Sequence, residues 1–501
     1  MCANPILSPM SHLLQSPLWQ ADSLGSPLPD NEFGVSVSLP LWAHVIGYEE
    51  GDAAIISQFR SGYPRFFLPP AIERLFKAAE QALGRPSERC IVFPRLIHAE
   101  RCLEWLRRNG ISDGLRTATF TDDALGVALF PTAAYDTARK FWRFAGEVVS
   151  IRQSLHALGE TSSVTREEGE EASAKIRQHL AALSGQEAED VFLFPSGMAA
   201  SFAVHRMITT LFPGRKTTQL GFPYVDVLKI QQHFGTGSHF FPVLDEQSYK
   251  QLSDLLVREP QAGIFSEAPT NPLLQCCDYE WLSSFAGESP LIIDDTIGTS
   301  VHVDAFRFAD AVTTSLTKAF SGAGDVLAGS VILSRASRHY AAFSAFLREH
   351  HDHALFPADA VVLEQNSRDF EERALGSSLN SVALYHFLRQ HPKVARVWHS
   401  INEGGPGYTQ IQRGDGHGCL FSFVLKDESR TPAFYDALEV CKGPSLGTDF
   451  TLVCPYTLLA HYQELDWAES CGVPRHLIRV SAGLEDSTDL IARFERALAK
   501  A

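Results

Sequence analysis

The sequence has fewer basic than acidic residues, and this shortage excludes whole classes of partner. Lysine and arginine together number 43, against 59 aspartates and glutamates, so the 501-residue chain carries a formal charge of −16. A nucleic-acid surface or an anionic membrane surface requires clustered cations that neutralise phosphates. We therefore expect neither nucleic acid nor membrane among the partners.

Three further absences narrow the class of protein. No apolar run approaches the roughly 18 residues that a membrane-spanning helix needs. No lysine or arginine precedes Arg60, whereas secretory signals and mitochondrial presequences carry cations. The nine cysteines are scattered without a CxxC pair, which is typical of reduced thiols and not of a disulfide framework or a zinc site. We expect a cytoplasmic protein with no metal site.

Length and residue pattern divide the chain into predicted regions. At about 150 residues per domain, a chain of this length forms two to four domains. Residues 1–35 are rich in proline and serine and predict a flexible arm, and residues 36–145 predict an N-terminal α/β extension. Residues 146–370 predict a large cofactor-binding domain, and residues 371–501 predict a smaller α+β C-terminal domain with a closing helix.

Short apolar runs alternate with amphipathic helical patterns in the large domain. This alternation predicts an α/β fold with a mostly parallel central sheet and helices on both faces. The predicted strands are Val191–Phe194, Phe240–Val243, Gly263–Ser266, Leu291–Asp294, Ala311–Thr314 and Ser330–Leu333. In the C-terminal domain, strands are predicted at Cys419–Val424 and Leu477–Val480.

Polar residues follow three of these strands. A Ser-Gly-Met turn at 196–198 opens a helix whose free N–H groups suit a phosphate. Asp294 is the last residue of the predicted strand Leu291–Asp294. Lys318 ends the run Ser-Leu-Thr-Lys that follows the strand Ala311–Thr314. A lysine directly after a buried strand loses hydration, which favours its neutral and nucleophilic form.

Each of these features has an ordinary structural explanation when it is taken alone. The turn could cap a helix, the aspartate could cap a loop or bind a metal, and the lysine could lie at a surface. Ligands of parallel sheets bind outside the carboxyl ends of the strands, so the three features belong to one place. Pyridoxal 5′-phosphate (PLP) requires a lysine for its aldehyde, a carboxylate for its pyridine nitrogen and donors for its phosphate. The set therefore predicts PLP as the cofactor.

An ordered series of motifs resembles the Cys/Met-metabolism PLP enzymes, and more narrowly their fungal cystathionine γ-synthase-like branch. The motifs are SGMAA, PTNP, DDT, SLTK and RVSAGLED, with the supporting stretches GYEEGD, GYPRFF, KGPSLGTDF and CPYTLLAH. They extend from about residue 33 to the C-terminus. The resemblance implies a fold-type I PLP-dependent transferase.

The resemblance implies cofactor contacts residue by residue. Lys318 would bind the cofactor aldehyde and carry protons, Asp294 would keep the pyridine nitrogen protonated, and Tyr224 would cover the ring. Asn271 would contact the ring hydroxyl or the substrate carboxylate. The phosphate would be bound by Gly197, Met198, Ser315 and Thr317.

The resemblance further implies substrate contacts and assembly. Arg479 would bind the α-carboxylate of an amino-acid substrate, near Thr451, which stands where a serine is usual. Arg152 would reach the phosphate of a neighbouring chain, although Ser150 replaces the tyrosine that usually accompanies it. We therefore expect a homodimer or homotetramer with shared active sites. Asp295 adds a second carboxylate beside the cofactor.

The implied reaction is γ-replacement on an O-acyl-L-homoserine. With cysteine as the nucleophile, the product is cystathionine, a transsulfuration step toward methionine. One alternative is a specialised-metabolism enzyme that joins a carbon nucleophile to the same intermediate. A second alternative is a non-catalytic binding subunit with the same fold, although Lys318 and Asp294 are both present.

Overall fold

The computed structural model describes residues 11–161 and 164–501. Its N-terminal segment, residues 11–69, contains α1 (Ser11–Gln15), β1 (Pro27–Leu28), β2 (Ser36–Val37), α2 (Trp42–Glu49) and α3 (Ala53–Ile56). Residues 23–29 are buried, because Leu24 joins the apolar core of the C-terminal domain and Leu28 packs with Phe450 and Leu452. This part is packed, where the sequence predicted a flexible arm. Residues 1–10 of that predicted arm lie outside the described residues.

Residues 70–145, called the extension below, form an α/β unit around an antiparallel sheet with the strand order β3-β5-β4. Its elements are α4 (Pro70–Leu83), β3 (Glu88–Phe93), α5 (Leu96–Arg108), β4 (Arg116–Phe120), β5 (Leu125–Pro131) and α6 (Tyr135–Ala145). The α/β unit thus begins at residue 70 and not at 36. Trp105 of α5 stacks on Phe234 of the large domain with ring centroids 4.4 Å apart, so the two parts share one core.

The large domain follows, and its first half runs through α7 (Ile151–Ala157), α8 (Arg166–Ser184), β6 (Val191–Phe194), α9 (Gly197–Leu211), β7 (Thr217–Leu220), α10 (Val225–Phe234), β8 (Ser238–Phe241) and α11 (Glu246–Arg258). The second half contains β9 (Gly263–Glu267), α12 (Tyr279–Phe285), β10 (Leu291–Asp294), α13 (Thr299–His302), β11 (Ala311–Thr314), β12 (Gly329–Leu333), α14 (Tyr340–His350) and α15 (Pro357–Asn366).

The central sheet has seven strands in the order β6-β12-β11-β10-β9-β7-β8. The strands from β11 to β8 are parallel neighbours, whereas β12 runs antiparallel to both β11 and β6. Alternate residues of one strand enter different cores, as Ile292 and Ile293 do, so both faces are covered. The predicted α/β fold with a mostly parallel sheet is confirmed.

The sequence analysis missed strand β7 (Thr-Thr-Gln-Leu), in which the first three of the four residues are polar. All four residues are buried, and internal hydrogen bonds compensate for their burial. Thr218 Oγ1 donates to Gln261 Oε1 over 3.1 Å, and Gln231 Nε2 donates to Gln219 Oε1 over 2.7 Å. The six strands predicted for this sheet are all present, with β8 beginning two residues earlier than expected.

The C-terminal domain carries a five-stranded sheet with the order β13-β14-β17-β16-β15, antiparallel except between β15 and β16. Its elements are α16 (Phe370–Gln390), β13 (Val394–Trp398), α17 (Ser400–Glu403), α18 (Gly405–Ile411), β14 (Leu420–Leu425), α19 (Thr431–Ala437), β15 (Cys441–Lys442), β16 (Leu452–Pro455), α20 (Tyr456–His461), α21 (Leu465–Ser470), β17 (Ile478–Ser481) and α22 (Ser487–Lys500). The closing helix α22 is capped by Asp486, which accepts from the N–H groups of Thr488 and Asp489.

Two general features concern the whole described chain. Each described helix is too short or too polar to cross a membrane. The eight described cysteines are free and buried.

We predict that Trp105→Ala lowers the free energy of unfolding by about 3–5 kcal/mol, because it removes a buried indole at the junction of extension and large domain. The change also removes the Trp105 Nε1 hydrogen bond to Thr137 O of α6. Denaturant unfolding followed by circular dichroism measures the effect. Val257→Ala, at a position 78% exposed, is the control and should change stability by less than about 0.5 kcal/mol. Equal effects of the two variants would contradict the shared core.

Candidate active site

A cavity of about 660 Å³ lies where the large domain, the C-terminal domain and the N-terminal segment meet. Its base is formed by the carboxyl end of β10, the residues after β11 and the first turn of α9, which is the edge that the sequence predicted. Of the predicted site residues, eight line this cavity, and they are Gly197, Met198, Tyr224, Asn271, Asp294, Ser315, Lys318 and Arg479. Thr317, Thr451 and Arg152 lie outside its lining.

Lys318 presents a desolvated amine at the base of the cavity. Its Nζ donates to Ser445 Oγ over 2.9 Å and lies 5.0 Å from the ring centroid of Tyr63. Burial lowers the pKa of Lys318 to about 7, and the positive charges of Arg479 and Arg65 add to this effect. A large share of the amine is therefore neutral at physiological pH, which is the form that attacks an aldehyde.

The two adjacent aspartates at the end of β10 have different surroundings. Asp294 lines the cavity, and its Oδ1 accepts from the N–H of Thr296 over 2.9 Å. Asp295 is turned away and buried, with its carboxylate accepting from Thr314 Oγ1 over 2.5 Å and from Ser300 Oγ over 3.1 Å. Burial raises the pKa of both carboxyl groups, that of Asp295 to about 6. Only Asp294 is placed to contact a ligand.

The first turn of α9 forms one wall of the cavity, and this turn begins with Gly197, which has no side chain. A Cβ at Gly197 would lie 2.6 Å from Ser315 Cβ, so only glycine allows this approach. Ser196 caps the helix by accepting from the N–H of Ala199 over 3.1 Å, and the next two residues, Gly197 and Met198, line the cavity. Thr317 differs from the prediction, since its hydroxyl exchanges hydrogen bonds with the backbone of Ala328.

Arg65, which the sequence analysis did not select, enters the same cavity from the N-terminal segment. It is 1% exposed, and its Nη2 donates to Tyr224 Oη over 2.8 Å and to the Asp226 carboxylate. Its Nε and Nη1 are buried without a hydrogen-bond partner in the described chain. The stretch GYPRFF, in which Tyr63 lies two residues before Arg65, could have identified this arginine. It was not assigned to the site because it is far in sequence from the strands whose ends form the cavity.

Arg479 on β17 approaches the cavity from the C-terminal domain. Its Nη1 donates to Asn271 Oδ1 over 3.3 Å, and its Nη2 donates to Ser445 O over 2.6 Å. The guanidinium lies 5.0 Å from the ring centroid of Tyr456. Thr451 directly precedes β16, and its Oγ1 donates to Glu485 Oε2 over 2.7 Å. Thr451 therefore holds the neighbouring loop and does not reach the cavity.

Glu267, at the end of β9, is a further buried carboxyl group at the site, and the sequence analysis did not identify it. Its oxygens accept from the N–H of Tyr224 over 2.6 Å and from the N–H of Asn271 over 3.0 Å. Burial and the neighbouring carboxylate of Asp294 raise the pKa of Glu267 to about 8. Glu267 thus fixes the backbone of two predicted site residues.

Arg152 is held by carboxylates of its own chain. Its Nη1 donates to Asp359 Oδ1 over 3.3 Å, and its Nη2 donates to Asp325 Oδ2 over the same distance. The guanidinium also covers the ring of Phe33 at 4.2 Å. The structure therefore brings Arg65, and not Arg152, to the cavity of this chain.

The residues of the cavity fit PLP. The unpartnered nitrogens of Arg65 and the first turn of α9 would supply donors for its phosphate. Asp294 would supply the carboxylate for the pyridine nitrogen, and Lys318 would supply the amine for the aldehyde.

Comparisons with known proteins agree with this geometry. Residues 165–499 match the family model of the Cys/Met metabolism PLP-dependent enzymes, and residues 71–150 match that of the fungal trans-sulfuration enzyme N-terminal domain. A cystathionine gamma-synthase-like enzyme of Amanita muscaria, iboG1, is 31% identical over 97% of this chain and 98% of its own. The cystathionine gamma-synthase of Neurospora crassa is 31% identical over 95% of this chain and 98% of its own.

Solved structures share the fold. The cystathionine gamma-lyase CalE6 of Micromonospora echinospora aligns with a TM-score of 0.58 at 24% identity, covering 67% of this chain and 88% of that one. A putative O-acetylhomoserine (thiol)-lyase of Campylobacter jejuni aligns with a TM-score of 0.59 at 21% identity, covering 70% of this chain and 91% of that one. The predicted fold-type I architecture is confirmed. The chain belongs to the Cys/Met metabolism PLP-dependent enzymes and carries the fungal trans-sulfuration N-terminal domain.

Proposed function

We propose that this enzyme catalyses γ-replacement on an O-acyl-L-homoserine, with cysteine as the nucleophile and cystathionine as the product. One observation carries the proposal: Ser445 bonds Lys318 through its hydroxyl and Arg479 through its carbonyl oxygen. An amino acid whose α-carboxylate binds Arg479 would therefore place its Cα and Cβ beside the amine of Lys318. The relatives in Amanita muscaria and Neurospora crassa support the same reaction class.

The chain's own groups supply binding and proton transfer. PLP, when bound, withdraws electrons from the carbon atoms of the amino acid. Arg479 offers paired N–H donors that orient the α-carboxylate. Lys318 takes the proton from Cα and then one from Cβ, and later returns protons to these carbons. The Cγ–O bond breaks as the acyl group leaves as a carboxylate, and a C–S bond forms at Cγ while the thiol loses its proton.

We propose the following roles for the residues around the cofactor. Asp294 keeps the pyridine nitrogen protonated, Tyr224 covers the ring, and Asn271 orients the carboxylate together with Arg479. Arg65 binds the phosphate beside Ser315 and the first turn of α9. Its Nε and Nη1 support this assignment, because buried N–H donors without an acceptor are unfavourable even though Nη2 is paired with Asp226.

We further propose a homo-oligomer in the cytoplasm, a dimer or tetramer, in which each chain supplies its own phosphate ligands. The position of Arg65 in the cavity of its own chain supports the second part. The free cysteines support a reducing compartment.

A second candidate function is the addition of a different, carbon nucleophile in specialised metabolism. The observation that favours it is the size of the cavity, which continues from Lys318 to an outer mouth lined by the extension. The relative ankD of Aspergillus thermomutatus, 32% identical, is named a cystathionine gamma-synthase-like protein.

Activity assays test the function directly. We expect O-acetyl- or O-succinyl-L-homoserine with cysteine to yield cystathionine, detected by mass spectrometry. Formation of no cystathionine, together with a product from a carbon nucleophile, would favour the second candidate. Lys318→Ala should reduce turnover by about 10²–10⁴-fold or more, since the amine both binds the cofactor and acts as the base.

The pKa of Lys318 adds a pH prediction. The rate at which the cofactor-free enzyme captures added PLP should rise as the pH passes about 7, because the neutral amine is the nucleophile. Stopped-flow absorbance measures this rate, and borohydride reduction followed by peptide mapping locates the label at Lys318. A label on another lysine, or a rate that stays flat through neutral pH, would contradict the assignment.

The adjacent aspartates provide a matched pair. Asp294→Asn should abolish most turnover while leaving the fold intact, because an amide cannot hold the pyridine nitrogen in its protonated state. Asp295→Asn should retain activity but lower stability by about 1–3 kcal/mol, since the buried oxygens accept from Thr314 and Ser300. Turnover and melting temperature of both variants are the measurements. Greater loss of turnover in Asp295→Asn would reject the assignment of Asp294.

Arg65 and Arg152 provide a second matched pair. Arg65→Gln should weaken PLP binding about tenfold or more, because charge-assisted bonds to phosphate are lost. Arg152→Gln should retain PLP affinity but lose about 3–5 kcal/mol of stability, because the buried carboxylate of Asp359 loses its partner. Equilibrium dialysis gives the PLP dissociation constants, and thermal melting gives the stabilities.

Mixing of variant chains separates the two arrangements of the phosphate site. If Arg65 serves its own chain, each active site of a mixed oligomer of Arg65→Gln and Lys318→Ala chains lacks one of the two residues. Subunit exchange between the variants should then restore no activity. Recovered activity in the mixture would instead place Arg65 across a subunit boundary. Loss of PLP affinity in Arg152→Gln with unchanged melting would return the phosphate role to Arg152.

A further inference from the structure

Helix α6 of the extension turns one face toward the mouth of the cavity. Asp136, Arg139, Lys140, Arg143 and Phe144 all line it. Their spacing of three, four, seven and eight residues places them on one side of a helix. The extension thus forms part of the wall of the site.

Arg139 differs from the other arginine on this face in lacking an anionic partner. Arg143 Nη2 donates to Asp226 Oδ1 over 3.0 Å. Arg139 as a whole is half-buried, and its Nη1 is buried and donates to no atom of the described chain. Burial lowers the pKa of Arg139, which reflects a cation that has lost hydration. Because a guanidinium stays charged at neutral pH, its burial is unfavourable until an anion binds.

The acidic groups at the mouth do not supply that anion. Burial raises the pKa of Glu49 to about 8, so its carboxyl group is largely protonated at neutral pH. Glu464 is bonded by His461 over 3.0 Å and lies 3.5 Å from Lys229. Asp136 is exposed and forms no ion pair in the described chain. In the described chain, Arg139 therefore has no carboxylate partner, and its guanidinium lies 6.0 Å from the ring centroid of Trp142.

The other anions expected in the site already have their cations. Arg65 is placed for the cofactor phosphate, and Arg479 is placed for the α-carboxylate. We propose that Arg139 binds a further carboxylate, carried by a substrate beyond the α-carboxylate that Arg479 holds. This inference rests on the proposed function, in which two substrates meet in one cavity. The carboxylate belongs either to the acyl group of the donor or to the nucleophile.

Two pairs of probes distinguish these sources by calorimetric titration of the holoenzyme. O-succinyl- and O-acetyl-L-homoserine differ in a carboxylate on the acyl group, and 3-mercaptopropionate and 2-mercaptoethanol differ in a carboxylate on the thiol. In one pair, the wild-type enzyme should bind the carboxylate-bearing member at least about tenfold more tightly. Arg139→Gln should abolish that preference. Lys77→Gln, at an exposed position of α4 outside the cavity lining, is the control and should change the preference less than twofold.

Each outcome decides the proposal. A preference in the homoserine pair that Arg139→Gln removes assigns the site to the acyl group, and one in the thiol pair assigns it to the nucleophile. Absence of an Arg139-dependent preference in both pairs overturns the proposal. If no acylhomoserine is turned over but the preference is present, the proposed function fails while the carboxylate site stands.

Folding of the variant is checked separately. Arg139→Gln should keep its PLP absorbance and melt no lower than the wild type, because the change removes a desolvated and unpaired cation. Arg139→Lys is the second variant: it keeps the charge but loses the bidentate geometry, so its preference should be weakened and not lost. A wild-type preference in Arg139→Lys and Arg139→Gln alike would also overturn the proposal.

Discussion

A buried concentration of positive charge is the constraint on which the active site depends. Lys318, Arg65 and Arg479 face one cavity, and the two arginines help to keep the lysine near its neutral form. Such a cluster is tolerable because Asp226, itself fully buried, accepts hydrogen bonds from Arg65 and Arg143. Asp226 therefore joins three parts of the chain, namely the N-terminal segment, the extension and the large domain. An anionic ligand in this cavity would balance part of the positive charge of Lys318, Arg65 and Arg479.

Much of the large domain could be predicted from sequence because its signals are local. A buried strand followed by a small or polar residue marks the sheet edge, and Asp294, Ser315 and Lys318 lie where this pattern placed them. Strand β7 was missed because its buried polar residues are satisfied by partners distant in sequence. The packing of the predicted flexible arm was missed for the same reason, because its apolar partners in the C-terminal domain are about 400 residues away in sequence.

The arginines show a different limit of sequence reasoning. An arginine's role depends on which carboxylate or ligand its guanidinium meets, and this is a property of tertiary structure. Arg152 finds two aspartates of its own chain, whereas Arg65 keeps two nitrogens without a partner. Thr451 likewise lies next to a site strand in sequence but bonds Glu485. Neighbouring sequence positions therefore identified the strand but not the direction of the side chain.

The N-terminal segment has a consequence for the synthesis of the chain. Leu39 N–H donates to Lys442 O over 2.8 Å, and Tyr435 Oη donates to Leu39 O over the same distance. Val37 and Pro444 lie together in the wall of the cavity. During synthesis, Leu39 and its neighbours therefore remain without these partners until residues 435–444 have left the ribosome. Contacts of such long sequence separation form late, so the ability to bind the cofactor arises only when the two ends of the chain have met.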